Sequence, residues 1–182
     1  MTIDDGWVRE PTGHDLLVRE HPPVTLFLTN AAWRADRLYF RDLVQAGGVV
    51  ADHTMTHPDL TKLSYARQKA EICQAAAGDE EEFGVRPTLF RPPFGAINAA
   101  TLRAAADCGM GHVVLWSAAV NDGRVDVDGS PVLRPGDIVL MHFRTTFHQD
   151  LTALFDKMAQ AGLKPARLED YLSQRPAAAA RP

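Results

Sequence analysis

The sequence predicts an α/β fold in which mainly parallel strands are covered by helices. Three observations carry this. Short apolar runs without polar alternation recur, Val24-Thr25-Leu26-Phe27-Leu28 being the clearest, and such runs mark strands buried on both faces. Segments of helical periodicity separate them, so strand and helix alternate, with roughly six or seven strands in a barrel or an open sheet. Residues with useful chemistry follow the strands in turn: Asp4-Asp5, His53 and His57, Arg91, Trp116 and His142. In such folds function gathers past the C-terminal ends of the strands.

Taken in order, Met1 to Ile3 reads as the end of a strand, left by an Asp4-Asp5-Gly6 turn. Little of that strand is present, so the first element reads as truncated. Leu16 to Glu20 suits a short helix broken by His21-Pro22-Pro23, and Val24 to Leu28 is the buried strand. A helix over Asp36 to Gln45 stops at Gly47-Gly48, and a short strand leads to the histidines. Thr61 suits an N-cap for a long helix to about Ala77, with Glu80-Glu81-Glu82 as a solvated end. Thr88 to Phe90 and His112 to Trp116 read as strands around a helix over Ala99 to Cys108. Asn121 to Gly136 is turn-rich and reads as less ordered. A strand over Asp137 to Met141 ends at His142, and a helix over Asp150 to Ala161 is closed by Gly162. A short strand at Pro165 to Arg167 and a helix at Leu168 to Ser173 complete one domain, residues 1–174. The Ala/Pro-biased tail, residues 175–182, reads as disordered.

The bulk numbers agree with a globular protein. The chain has 182 residues, 46% hydrophobic and 23% charged, with a net charge of −4. No basic stripe is present, which argues against nucleic acid, and no apolar run approaches the ~20 residues of a membrane span. Cys73 and Cys108 fall in helix-like patterns and read as small buried side chains, their pairing left open. A monomer is expected.

The chemistry centres on His53 and His57. If the backbone turns helically, residues four apart share a face and both imidazoles reach one cation. Asp5 completes an open set of three ligands, which suits zinc-like chemistry: a bound water acidified to a pKa of about 7 and a polarised carbonyl. Asp4 is then the candidate general base. Arg91 has a fork able to hold Asp4 ionised and oriented. Pro92-Pro93 stiffens a turn that can aim the Phe94 N–H at a developing oxyanion. His142 is the candidate acid for the leaving group, with Asp122 placed to favour its protonated form.

Together these segments resemble the polysaccharide deacetylases, metal-dependent carbohydrate esterases with a NodB homology domain. Thr2-Ile3-Asp4-Asp5-Gly6 is similar to the family's T-F-D-D-G, base then metal ligand. His53-Thr54-Met55-Thr56-His57 matches H-S/T-x-x-H. Arg91-Pro92-Pro93-Phe94-Gly95 is similar to R-P-P-Y-G, and Leu140-Met141-His142 matches the last motif, which carries the acid. The resemblance runs from Thr2 to about Leu172. It implies a distorted (β/α) barrel of about seven strands and a divalent metal, zinc first, with cobalt or nickel as substitutes. The implied substrate is an acetylated glycan, most naturally N-acetylglucosamine units of peptidoglycan or chitin. The alternatives are an O-acetyl esterase on xylan-like polymers, a small-molecule amidase, and a glycan-binding homologue without activity. An extracellular or cell-wall location follows from the resemblance, although no leader precedes Met1.

The departures fall on substrate-shaping positions. Trp7 stands where the family has Pro after D-D-G. Trp116 to Gly123 is similar to W-S-V-D-x-x-D-W but ends in Gly123, and Phe143 replaces the Asp that often follows the last His. The wall around Trp7, Gly123 and Phe143 is therefore expected to set the substrate.

Overall fold

A computed structural model describes residues 1–173. The expected disordered tail and the outer limit of the domain lie outside the described residues. Eight strands form one sheet: β1 (Thr2–Asp5), β2 (Thr25–Leu28), β3 (Val49–Asp52), β4 (Leu89–Phe90), β5 (His112–Val113), β6 (Ala118–Asn121), β7 (Arg124–Val127) and β8 (Val139–His142). The spatial order is β5-β4-β3-β2-β1-β8-β6-β7. Every neighbouring pair is parallel except the β6–β7 hairpin. The mainly parallel α/β class is as expected, with eight strands instead of about seven. Among the described residues no pairing joins β5 to β7, so hydrogen bonds do not close the barrel.

Among the described residues seven helices surround the sheet: α1 (Pro11–Glu20), α2 (Asn30–Trp33), α3 (Arg37–Gln45), α4 (Tyr65–Phe83), α5 (Ala99–Asp107), α6 (Phe147–Gln160) and α7 (Leu168–Ser173). The β2 strand shows why its run lacks polar alternation. Leu26 and Leu28 join the core with Leu17, Phe40 and Leu154, while Phe27 faces the other way onto Ala51, Leu89 and Val114. Each such side chain contributes about 1.5–3 kcal/mol by leaving water, so both faces of the strand must be apolar.

Several local expectations give way to stronger interactions. Helix α1 starts earlier, because Glu10 accepts from Thr12 N–H and Gly13 N–H and Pro11 occupies the first helical position. Thr61 lies in a separate 3-10 turn, and the cap of α4 is Ser64, which accepts from Arg67 N–H. Glu82 is not a solvated end. Its carboxylate is nearly buried, 3.1 Å from Arg37 Nη1 and 2.6 Å from Arg41 Nε. Residues Pro165 to Arg167 form no strand; they line a cavity of about 520 Å³ at the N-terminal end of β1 and β8. The turn-rich stretch after Asn121 contains the β6–β7 hairpin. Asp122 and Gly123 both take positive φ (50° and 73°) between the paired Asn121 and Arg124, a primed two-residue turn. Cys73 and Cys108 are not free buried thiols: they form a disulfide that ties α4 to the C-cap of α5.

Candidate metal centre and active site

Strand register places the site. Asp5 pairs with Leu28, Leu28 with Asp52, and Asp52 with Phe90, so four strands end in one row. His142 pairs with Asp4 from the other side. The residues at and just past this row are the ones the sequence singled out.

Left-handed backbone turns them inward. Asp5, Thr54, His57 and Phe94 hold φ of 77°, 71°, 60° and 61°. Such conformations cost roughly 1–3 kcal/mol each in non-glycine residues and cluster at functional sites. After Asp5, Gly6 takes φ of 102°, and a Cβ there would lie 2.9 Å from the ring of Phe40. His53 and His57 therefore do not meet across a helical turn. A loop folds back, held by Thr54 N–H on Asp52 Oδ1 (2.9 Å) and His57 N–H on Thr54 Oγ1 (3.0 Å). Glu71 of α4 clamps it further, taking bonds from Thr56 N–H and Oγ1 at 2.9 Å each. Nothing in the local sequence around Glu71 marks this target, because a helical glutamate looks the same whether or not it reaches a distant loop.

The loop brings the two imidazoles to 4.8 Å between centroids. Their Nε2 atoms lie 3.4 Å (His53) and 3.1 Å (His57) from Asp5 Oδ1. That oxygen is buried and has no hydrogen-bond partner. The ligand atoms of Asp5, His53 and His57 lie within 4.8 Å of one another. His53 Nδ1 is 2.7 Å from the Arg91 carbonyl oxygen, which can only accept, so the proton of the neutral ring sits on Nδ1. Nε2 then turns a lone pair towards the unpartnered carboxylate oxygen. Acceptors facing one another in a buried pocket fit a divalent cation, and the carbonyl behind His53 is the supporting contact that such a ligand needs. Burial works against the charge of Asp5, but with no cation held and protons on their Nε2 atoms, the His53 and His57 imidazoles, with His142 nearby, more than offset it. They hold the carboxyl well below the usual carboxylate range.

Arg91 is fully buried. Its Nη1 donates to Asp4 Oδ1 (2.7 Å) and Thr2 Oγ1 (2.8 Å), Nε to the Val114 carbonyl and Nη2 to the Leu115 carbonyl (3.3 Å each). The guanidinium also stacks 4.2 Å from the Phe27 ring centre. A charge desolvated this completely needs every one of these partners. Asp4 is buried too, and its second oxygen lies 3.8 Å from His53 Nε2.

A family profile described as Polysaccharide deacetylase matches residues 1–113. The chain belongs to the polysaccharide deacetylase family. It is 38% identical to an uncharacterised Streptomyces coelicolor protein over 94% of this chain and 72% of that one. It is 33% identical to a chitooligosaccharide deacetylase of Sinorhizobium fredii over 78% of this chain and 70% of the relative. Among solved structures, a family 4 carbohydrate esterase from Streptomyces lividans, in complex with acetate, superposes with a TM-score of 0.76. It shares 26% identity, covering 90% of this chain and 88% of that one. Membership places the chain among hydrolases of the carbohydrate esterase type. No helix of the described residues is long and apolar enough to cross a membrane.

The remaining positions depart in part from the deacetylase pattern. Phe94 is exposed, with its ring 4.8 Å from that of His57, so it forms part of the rim. Trp116 packs over Gly95, where a Cβ would meet its ring at 3.0 Å. Trp7 is exposed two residues after Asp5. Gly123 does not open onto empty space: a Cβ there would lie 2.6 Å from Gln149 Nε2, and its N–H donates to Asp150 Oδ1 at 2.7 Å. Phe143 is no wall residue. It is buried against Phe40 and Phe147 in the core. Burial pulls the His142 imidazole below its ordinary pKa, and the carboxylates opposing this are Asp4 and Asp5. Asp122, expected to do so, makes no ion pair or hydrogen bond with His142; its backbone oxygen receives Gln149 Nε2 at 3.4 Å. His142 Nδ1 is buried without a partner.

Proposed function

We propose that this chain hydrolyses the acetyl group from an N-acetylated amino sugar in a glycan, using a divalent cation held by Asp5, His53 and His57. Zinc suits the donor set best, with cobalt and nickel as substitutes. The observation that carries the reading is the meeting of this open ligand set with a buried Asp4–Arg91 pair on one rim.

When bound, such a cation supplies Lewis acidity to the acetyl carbonyl and acidifies water. Asp4 takes the proton of the attacking water, while Arg91 fixes one of its oxygens and leaves the other towards His53. The water oxygen bonds to the carbonyl carbon, and the Phe94 N–H donates to the oxygen that gains charge. His142 protonates the nitrogen as the carbon–nitrogen bond breaks. A lowered imidazole pKa makes its protonated form the stronger acid, which suits that role. The exposed Trp7 and Phe94 give the rim two aromatic faces for sugar rings. The disulfide favours an oxidising, extracytoplasmic compartment.

Acetate release from chitooligosaccharide, acetyl-xylan and small acetamides tests this reading. Turnover of the amino-sugar amide above the other two is expected. Preference for acetyl-xylan assigns an esterase instead, preference for the acetamides a small-molecule amidase, and substoichiometric metal together with release from none favours a glycan-binding homologue without activity.

A further inference from the structure

The two histidines of the ligand set are supported unequally. A ligand imidazole is usually oriented by a partner on its second nitrogen. His53 has that partner in the Arg91 carbonyl, and Thr29 Oγ1 donates to its own carbonyl oxygen at 3.2 Å. Among the described residues no hydrogen bond reaches the His57 Nδ1. Its ring packs edge-on against the rings of His53 and the exposed Phe94. Its backbone is left-handed, which a non-glycine residue holds where the surrounding structure enforces it. The place of the second histidine is therefore decided by the loop that carries it.

That loop is held from two elements. On one side Asn30 N–H and Ala31 N–H of α2 bond to the carbonyls of Thr54 (3.2 Å) and Met55 (2.9 Å). The other side falls to Glu71 of α4. Its carbonyl accepts from Met55 N–H at 3.1 Å. Its carboxylate takes the Thr56 N–H on Oε2 and the Thr56 hydroxyl on Oε1, at 2.9 Å each. Among the described residues no cation pairs with this carboxylate, so both oxygens serve the loop. The next residue, Ile72, is fully buried, and Cys73 is bonded to Cys108, so this turn of α4 is a fixed point. Without the carboxylate, Thr56 loses both of its bonds to the fold immediately before His57.

We propose that Glu71 is a positioning residue for the metal centre: by holding Thr56 it keeps the His57 imidazole turned to Asp5, so cation affinity depends on a carboxylate outside the ligand set. This rests on the metal-centre reading and deepens it. Outer contacts of this kind change metal affinity by roughly 10–100-fold. The exposed position of Thr56 puts Glu71 at the lower end of that range.

The test measures zinc affinity of metal-stripped protein by competition with a chromophoric chelator, alongside melting of the metal-free protein. Glu71→Ala is expected to weaken zinc binding about tenfold. Glu71→Gln still accepts from the Thr56 N–H and can donate to its hydroxyl oxygen, so it should stay within about threefold of the wild type. A purely structural glutamate would lower the melting temperature and leave the zinc dissociation constant where it was. An unchanged constant in Glu71→Ala therefore overturns the assignment. So does a Glu71→Gln as weak as Glu71→Ala, which would make charge and not hydrogen bonding the cause. Should Glu71→Ala not fold, Thr56→Val removes the hydroxyl bond alone: a constant raised about threefold supports the assignment and an unchanged one overturns it. A wild type that binds no zinc overturns the metal-centre reading, and this inference with it.

Discussion

The carbonyl oxygen of Arg91 accepts from His53 Nδ1 at 2.7 Å, while the guanidinium of the same residue holds Asp4, also at 2.7 Å. One residue thus orients a metal ligand through its backbone and the base through its side chain. The two roles separate by substitution. Arg91→Lys keeps the carbonyl and a charge but loses the fork. Turnover should fall on the order of 10²-fold while metal affinity changes little. Parallel steady-state kinetics and metal titration check this; equal losses in both would deny the division of labour.

The Cys73–Cys108 disulfide closes a 35-residue separation and joins α4 to the end of α5. Removing it should cost about 2–4 kcal/mol. In a chain of this size that lowers the melting temperature by on the order of 5–15 °C. Thermal melts with and without reductant, and of the Cys73→Ser/Cys108→Ser double variant, measure it. Intact mass under denaturing alkylation should show no free thiol in the oxidised protein.

Asp79 is buried in α4 and receives Trp33 Nε1–H at 2.9 Å. Burial pushes its carboxyl from the ordinary 3.8 up to about 8. The folded state therefore keeps a proton that the unfolded chain has lost. Stability from this group is fully present below about pH 4, declines as pH rises and is gone above about pH 8. Asp79→Asn, which resembles the protonated acid, should flatten that decline. Its melting-temperature advantage over the wild type should grow by on the order of 5 °C between about pH 5 and about pH 8. A constant offset across that window would mean that Asp79 does not titrate there.

The site was more legible than its surroundings. Asp5, His53, His57, Arg91 and His142 stood out because parallel strands end in register, and chemistry-bearing residues placed there leave a recurring mark in the chain. How they meet was not legible. The helical approach of His53 and His57 fails because Thr54 and His57 take left-handed backbone, with Thr54 N–H bonded to the nearby Asp52 and the loop clamped from α4 by Glu71. Burial of Arg91 depends on Thr2, Phe27 and Val114, none of them near it in sequence. The pairing of Cys73 with Cys108 likewise needs two helices to pack. Other signals are local. Asp122-Gly123 between two β-prone stretches marks a hairpin, yet the surrounding Gly and Pro made the region look irregular. Phe143 was assigned to the pocket wall by motif position, but its apolar ring is drawn into the Phe40–Phe147 cluster instead.

The central claim is hydrolysis by Asp4 beside a cation held by Asp5, His53 and His57. Its most direct measurement is acetate release from an N-acetylglucosamine oligosaccharide while zinc is titrated into chelator-stripped protein, with bound metal determined in the same samples. Activity should be absent without metal and saturate at one ion per chain. His57→Ala should lose both metal and turnover, and Asp4→Asn should keep the metal and lose turnover. Full acetate release from the stripped protein, or from His57→Ala lacking metal, would contradict the account.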